Sequence, residues 1–462
     1  MSLIKSISGI RGTIGGKSGD GLNPIDIARF VSAYGTWLKI YNEDKKLKVV
    51  VGRDARISGE MVKNIVIGSL QGVGIDVINL GLASTPTTEL AVTYENADGG
   101  LILTASHNPK QWNALKMLNS KGEFLSATDG TEVLAIAENE NFYFADVDNL
   151  GTVTEKCDYD NIHIENILKL KLVDVEAIRR ANFKVVIDCV NSVGGIIIPK
   201  LLNTLGVNEI VELYCEPNGL FPHNPEPLPE HLEDISNLIK KVNADVGFVV
   251  DPDVDRLAII NEDGTMFGEE YTLVAIADYV LSQDFPNGGG STVSNLSSTR
   301  ALRDITEKYG GLYFASAVGE VNVVEKMKEV GAIIGGEGNG GVIYPQSHYG
   351  RDALVGIALF LSFLAKKNKN CSELKKEYPL YFISKNKILL NEGIDIEAIF
   401  HKIKEKYKSE QITDIDGIKI DFENKWIHFR TSNTEPIIRI YSEAKTEQEA
   451  KEIFFDNIEL CE

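Results

Sequence analysis

The chain has 462 residues, of which 43% are apolar and 25% charged, and these values are typical of a globular protein of several domains. Its 67 Asp and Glu against 47 Lys and Arg give a formal net charge of −20, which argues against nucleic acid and an anionic membrane surface as partners. The sequence shows no signal peptide, no apolar run of ~20 residues and five scattered cysteines without CxxC spacing, so we expect a cytoplasmic protein.

Three stretches share the order strand, turn, amphipathic helix, glycine and strand, which is typical of a βαβ unit. The first joins the strands Lys48–Val51 and Ile75–Leu80, and the second joins Lys184–Ile187 and Glu209–Leu213. A looser third copy begins near residue 291 and ends with the strand Leu312–Ser316. Three similar α/β domains are therefore expected.

The C-terminal part has a different pattern. A helix around Asp395–Lys408 is followed by short strands and by a final helix that opens with a Thr446…Glu449 capping box, which indicates an α+β domain. The lysine-rich stretch 366–370 before it fits a linker, or equally well the solvated end of a helix. We predict four domains, bounded at 1–156, 157–261, 262–371 and 372–462.

Three aspartates follow an apolar strand in the segment Asp251-Pro252-Asp253-Val254-Asp255-Arg256. Crowded carboxylates repel each other, so a cation is expected among them, and hard oxygen donors suit Mg²⁺. An EF-hand would need glycine at the sixth position of the loop, where Arg256 stands. The segment therefore predicts a metal site rather than a solvated acidic turn.

A serine follows a second apolar strand, in Thr104-Ala105-Ser106-His107-Asn108-Pro109. Ser106 at a strand end is a candidate nucleophile or phosphate carrier, but a serine that merely caps a turn is the favoured explanation when this motif is taken alone. No GxSxG elbow supports a hydrolase triad with His107. Lys116 downstream can bring a cation to the same pocket.

Three further segments carry groups that suit a phosphosugar. The glycine-rich segment 335–341 contains Glu337 and Asn339, whose donors and acceptors suit sugar hydroxyls, and it lacks the GK[ST] of a P-loop. The turn 430–436 combines a guanidinium with short polar side chains, a plausible phosphate site, in Arg430, Ser432, Asn433 and Thr434. Arg11 lies between glycines near the N-terminus and can reach into a cleft.

In this order, the segments Ser8–Gly12, Thr104–Pro109, Asp251–Arg256, Gly335–Gly341 and Arg430–Pro436 resemble the α-D-phosphohexomutase superfamily, most closely its archaeal-type phosphoglucosamine mutases. The resemblance implies three α/β domains with mixed sheets and a fourth α+β domain around a central cleft. It also implies an intramolecular phosphotransferase of EC 5.4.2 type, and its expected partners are hexose phosphates, for a chain that is a monomer or a dimer.

The resemblance assigns a role to each candidate residue. Ser106 would be a phosphoserine, and one Mg²⁺ per chain would lie between Ser106 and the three aspartates. The residues expected to assist catalysis are His107, Arg11 and Lys116. The residues expected to bind the sugar are Glu337, Asn339 and Arg256. The residues expected to bind phosphate are Arg430, Ser432, Asn433 and Thr434.

The implied reaction moves phosphate between O6 and O1 through a hexose 1,6-bisphosphate. Asn339 and Gly341 stand where bacterial members usually carry Ser and His, which favours glucosamine 6-phosphate as the substrate. Glucose or mannose phosphates remain the alternative within the family. A metal-dependent sugar phosphatase, with an aspartate as the nucleophile, is the alternative from another class.

Overall fold

The computed structural model describes residues 2–6, 9–42, 45–284, 289–390, 394–431 and 437–458. The chain forms two compact units, the first of residues 1–272 and 340–373 and the second of residues 273–339 and 374–462. Within the described ranges, no helix combines the length and the apolar composition that a membrane span requires.

A seven-stranded mixed sheet lies in the N-terminal part of the first unit. Its strands are β1 (Ile4–Ser6), β2 (Gly9–Thr13), β3 (Lys48–Arg53), β4 (Asp76–Leu82), β5 (Gly99–Leu103), β6 (Trp112–Leu118) and β7 (Val153–Glu155), in the order β1-β2-β6-β5-β3-β4-β7. Its helices are α1 (Pro24–Ile40), α2 (Gly59–Val73), α3 (Thr85–Tyr94) and α4 (Ala127–Glu138). The predicted βαβ unit is confirmed, since β3 and β4 pair in parallel and α2 connects them.

A four-stranded mixed sheet follows in the same unit. Its elements are α5 (Tyr159–Lys169), α6 (Val175–Ala181), β8 (Lys184–Asp188), α7 (Gly194–Leu205), β9 (Glu209–Leu213), α8 (Glu233–Val242), β10 (Val246–Val250) and β11 (Leu257–Asn261), with the strand order β11-β10-β8-β9. Strands β8 and β9 pair in parallel and α7 connects them, as predicted. Gly206 ends α7 with φ +90°, a left-handed conformation that glycine adopts without steric cost.

The second unit contains three adjacent parallel strands. Helix α9 (Glu269–Asp284) leads into them, and the elements are β12 (Ser291–Asn295), α10 (Ala301–Lys308), β13 (Leu312–Ser316), α11 (Glu320–Val330) and β14 (Ile334–Glu337). Strand β12 pairs in parallel with both β13 and β14, which confirms the third βαβ unit.

The chain then returns to the first unit with β15 (Gly341–Ile343) and α12 (Ala353–Lys367), and α13 (Cys371–Lys375) follows. Helix α12 is buried along most of its length, as its nearly uniform apolar sequence requires. Its last turn contains the first lysines of the stretch 366–370, and Asn368 caps it with φ +51°. The observed helix end agrees with the interpretation of that stretch as the solvated end of a helix, and the linker stays a prediction.

An antiparallel five-stranded sheet and two helices form the C-terminal part of the second unit. Their bounds are β16 (Phe382–Leu389), α14 (Ile396–Lys406), β17 (Gln411–Thr413), β18 (Ile418–Asp421), β19 (Trp426–Thr431), β20 (Ile437–Ala444) and α15 (Glu447–Ile458), with the strand order β16-β20-β19-β18-β17. Strands β16 and β17 are absent from the sequence prediction. One face of the sheet packs isoleucines and Phe429 against both helices. The predicted fold class, three α/β domains and one α+β domain, is confirmed, and the predicted domain boundaries stay predictions.

Candidate active site

Three aspartates converge in the turn between β10 and β11. Asp251, Asp253 and Asp255 are fully buried, and one oxygen from each carboxylate lies within 4.8 Å of the other two. Oδ1 of Asp251 accepts hydrogen bonds from the backbone N–H groups of Asp255 and Arg256, each at 3.2 Å, so the turn closes on its first residue. Val254 has φ +63°, which is a rare conformation for a β-branched residue.

The aspartates have the donor set that a hard divalent cation requires. Oδ1 of Asp253 and Oδ1 of Asp255 are buried and accept no hydrogen bond from any residue that the structure describes. Burial, followed by repulsion from the carboxylates of Asp255 and Asp253, raises the pKa of Asp251 well above its usual value. Buried, unpaired carboxylate oxygens are costly, and a bound cation removes that cost. The three residues therefore fit Mg²⁺.

Ser106 lies directly against this group, after the end of β5. Its Oγ donates a hydrogen bond to Oδ2 of Asp251 at 2.6 Å, and Nδ1 of His107 lies 3.4 Å from the same Oγ. Ser106 has φ +48°, and its backbone N–H donates to Oγ1 of Thr104 at 2.9 Å. A left-handed serine beside a carboxylate triad is a strained position, and strain of this kind is common at functional sites.

A buried arginine that sequence analysis missed contacts the loop between β5 and β6, which carries Ser106 and is called the serine loop below. The Arg56 side chain is fully buried, and its Nε donates to Oδ2 of Asp54 at 2.9 Å. Its two terminal nitrogens donate to the backbone carbonyls of three loop residues and of the first residue of β6, which are Ser106, Asn108, Pro109 and Trp112. All five N–H groups of the guanidinium are thus engaged. Nothing in the sequence of the turn after β3 predicts this contact.

Arg11 and Lys116 lie on one face of adjacent antiparallel strands. Arg11 on β2 is directly opposite Ala114 on β6, and Lys116 is two residues further along. Nζ of Lys116 is 2.7 Å from Oδ2 of Asp253 and 3.6 Å from Oδ2 of Asp255. Burial lowers the pKa of Lys116, but these two carboxylates outweigh it and raise the pKa above its usual value. Lys116 is therefore an ammonium ion that donates to the aspartates.

His107 is held in its neutral form. Burial, followed by repulsion from the guanidinium groups of Arg256 and Arg11, lowers the pKa of His107 well below its usual value. The histidine, the two arginines and Lys116 therefore belong to one cationic environment beside Ser106. A neutral imidazole at this position can accept a proton.

Two more residues that sequence analysis missed contact the aspartates. Thr85, at the start of α3, donates from its hydroxyl to Oδ2 of Asp253 at 2.6 Å and from its backbone N–H to the carbonyl of Asp253 at 2.9 Å. The guanidinium of Arg351 donates to Oδ2 of Asp255 at 2.6 Å. Both residues are more than 90 positions from the aspartates in the sequence, and nothing in their local pattern predicts the contacts.

The second unit contains Glu337 and Asn339. Glu337 ends β14 and is buried, and its Oε1 accepts hydrogen bonds from Nδ2 of Asn295 at 2.8 Å and from the backbone N–H of Gly319 at 3.1 Å. Asn339 is half-buried. The first glycines of the segment belong to β14, so the carboxylate of Glu337 is fixed by a strand rather than carried on a flexible turn.

The second unit also contains Arg430, near the end of β19. Its Nε lies 2.9 Å from Oδ1 and 2.8 Å from Oδ2 of Asp416. Arg439 on β20 is directly opposite Arg430, so both guanidinium groups extend from one face of the sheet. Ser432, Asn433 and Thr434, which were predicted to bind phosphate, lie outside the described residues.

Comparisons with known proteins match the chain along nearly its whole length. Residues 3–144, 161–264 and 268–381 match the alpha/beta/alpha domains I, II and III of phosphoglucomutase/phosphomannomutase, and residues 387–460 match the C-terminal domain of the same family. A phosphoglucomutase/phosphomannomutase of Thermococcus kodakarensis is 38% identical over 98% of both chains. A phosphoglucosamine/phosphogalactosamine mutase of Sulfurisphaera tokodaii is 32% identical over 98% of both chains. The crystal structure of a phosphoglucomutase/phosphomannomutase family protein from Burkholderia thailandensis has 26% identity and a TM-score of 0.83, covering 99% of this chain and 97% of that one.

Proposed function

This chain belongs to the phosphoglucomutase/phosphomannomutase family and is a phosphohexomutase, and from that premise we propose that it interconverts glucosamine 6-phosphate and glucosamine 1-phosphate through a phosphoserine at Ser106. The observation that carries the proposal is the contact between Oγ of Ser106 and Oδ2 of Asp251, at the edge of a carboxylate group suited to a metal ion. A nucleophile and a metal site in contact fit phosphoryl transfer.

Two transfers complete the reaction. In the first, the free hydroxyl of the hexose phosphate forms a bond to the phosphorus of phosphoserine, the bond from that phosphorus to Oγ of Ser106 breaks, and the hydroxyl proton ends on Oγ. The product is a hexose 1,6-bisphosphate. After it turns end over end, Oγ of Ser106 attacks the other phosphate, and the sugar oxygen released there takes the proton. No oxidant or water is consumed.

The site residues of the first unit have different roles in these steps. Asp251, Asp253 and Asp255 would hold one Mg²⁺, which when bound neutralises charge on the transferring phosphate. His107 is neutral and close to Oγ of Ser106, so it can accept and return the proton. Lys116 and Arg11 are cations and stabilise negative charge on the phosphate oxygens. The raised pKa of Lys116 favours this electrostatic role over that of a base.

The residues of the second unit suit the end of the substrate that does not react. Arg430 and Arg439 lie opposite each other on one sheet face, and their like charges repel. A phosphate bound between them would offset this repulsion. Ser432, Asn433 and Thr434 are proposed to complete this phosphate site. Glu337 and Asn339 are proposed to hydrogen bond the sugar, with Arg256 from the aspartate turn as a further sugar contact.

Phosphorylation of Ser106 is the decisive test of the mechanism. Protein incubated with glucose 1,6-bisphosphate should carry one phosphate on the peptide that contains Ser106, as measured by mass spectrometry. Ser106→Ala should lose both the phosphate and turnover. Ser120→Ala, which changes an exposed turn serine after β6, should retain both. Normal turnover by Ser106→Ala would exclude the mechanism.

The choice of sugar is tested separately. Asn339 and the 32% identical phosphoglucosamine/phosphogalactosamine mutase support an amino sugar. The 38% identical phosphoglucomutase/phosphomannomutase supports glucose and mannose phosphates as the second candidate. The ratio of kcat/KM for glucosamine, glucose and mannose 6-phosphates decides between them. Release of inorganic phosphate in the same assays would favour the phosphatase alternative, which the comparisons do not support.

A further inference from the structure

The turn between β17 and β18 lies against β19 beside Arg430. Gly417 in this turn has φ +72°, and a Cβ at that position would lie 2.1 Å from the backbone oxygen of Phe429. Only glycine fits such a close approach of two backbones. The position of the preceding residue, Asp416, is therefore fixed relative to the strand that carries Arg430.

Asp416 is bound from several sides within the second unit. Its carboxylate accepts from Nε of Arg430, and its Oδ2 also accepts from the backbone N–H of Val318 at 2.9 Å. Its backbone carbonyl accepts from Nε2 of His428 at 2.7 Å, while Nδ1 of that histidine is 2.9 Å from Oγ of Ser297. Burial lowers the pKa of His428 to about 4, so the neutral ring donates through Nε2 and accepts at Nδ1.

Two consecutive backbone amides connect Asp416 to Glu337. The N–H of Val318 donates to Asp416, and the N–H of the next residue, Gly319, donates to Oε1 of Glu337. Adjacent residues are ~3.8 Å apart along the chain, so one short turn fixes both carboxylates. The two carboxylates are therefore held by neighbouring donors of one short segment.

We propose that Asp416 is a positioning residue that orients Arg430 for phosphate, and that the turn at Val318 and Gly319 couples this orientation to Glu337. The inference rests on the proposed function, which gives Arg430 a phosphate ligand and Glu337 a sugar ligand. A guanidinium has five N–H groups. Asp416 engages the Nε side and leaves the edge between the two terminal nitrogens as the one that faces a bidentate phosphate. The phosphate and sugar groups of one substrate are then recognised by a single connected network.

Substitution of Asp416 tests the orientation. Asp416→Ala should raise KM for both glucosamine 6-phosphate and glucose 6-phosphate by ~10- to 100-fold with a much smaller change in kcat, because the affected phosphate does not react. Asp416→Asn keeps an acceptor for Nε and should recover part of the loss. Asp414→Ala removes an exposed ion pair with Lys404 from the same turn and should leave KM unchanged. If Asp416→Ala fails to fold, Asp416→Asn decides the test.

Double substitutions test whether Asp416 acts through its neighbours. Asp416→Ala added to Arg430→Ala should change KM by less than about twofold, whereas independent effects would multiply and overturn the positioning role. Asp416→Ala combined with Glu337→Gln should raise KM by less than the product of the single effects, and a full product would overturn the coupling. An unchanged KM in Arg430→Ala would overturn the proposed phosphate site and this inference with it. A raised KM in Arg430→Ala alone, with normal Asp416 variants, would overturn only the inference.

Discussion

Arg56 provides the most direct test of how the serine loop is held. Arg56→Met keeps the length and the apolar stem of the side chain but removes all five of its hydrogen bonds. The carbonyls of the serine loop lose their shared donor, and Asp54 is left buried without its cation. Burial already raises the pKa of Asp54, and Arg56 partly opposes this. Removal of one partner from a buried ion pair costs ~3–5 kcal/mol, so the free energy of unfolding should fall by about that amount.

Urea unfolding and steady-state kinetics measure the two consequences. We also expect kcat to fall ~100-fold, because Ser106 loses the contact that fixes its backbone. Arg179→Met removes an exposed arginine paired with Glu176 and should cost less than ~1 kcal/mol. Adding Asp54→Asn to Arg56→Met should restore part of the stability, since no buried charge remains, but not kcat. A loss below ~1 kcal/mol in Arg56→Met with normal kcat would refute this account of the loop.

Two further predictions concern the metal site and a buried histidine. Removal of divalent cations with EDTA should abolish turnover and added Mg²⁺ should restore it, whereas turnover in EDTA would contradict the metal site. Burial lowers the pKa of His348, but Asp352 and Glu89, at 3.2 and 3.3 Å, outweigh it and raise the pKa to about 10. The folded state then keeps a proton that the unfolded state releases near pH 6.5, so this stabilisation is complete below pH 6.5 and declines by up to ~1.4 kcal/mol per pH unit until pH 10. Urea unfolding at pH 7 to 9 should show this slope in the wild type and a smaller one in His348→Gln, and equal slopes would exclude the assignment.

The aspartate group was predictable from sequence because its geometry is local. An apolar strand followed by carboxylates at alternate positions brings Asp251, Asp253 and Asp255 together at one end of a buried strand, and mutual repulsion indicates a cation. The three βαβ units were predictable for a similar reason, since each is encoded in one continuous stretch. Arg11 and Lys116 were found as cations, but their common face required the register of β2 and β6.

The supporting contacts were not predictable because they join distant segments. Arg56 reaches a loop 50 residues away, and Thr85 reaches Asp253 across 168 residues. The left-handed conformations of Ser106 and Val254 also lack a sequence signal, because neither residue is glycine or asparagine. Strand β17 has three residues and lies at a sheet edge, too short to give a period-two pattern.

The net charge of −20 does not oppose the proposed binding of a phosphosugar, because the acidic residues nearest the proposed site hold its lysine and arginine side chains in place. Lys116 is bound by Asp253, and Arg430 is bound through Nε by Asp416. An ammonium has three N–H groups and a guanidinium five, so in the proposed site each cation keeps donors for phosphate while a carboxylate fixes its direction. Oriented donors need little rearrangement when the anion arrives. Surface acids further than ~8 Å away are screened at physiological salt, so under the proposed function the local arrangement of these pairs, and not the sum of charges, sets the affinity for phosphate.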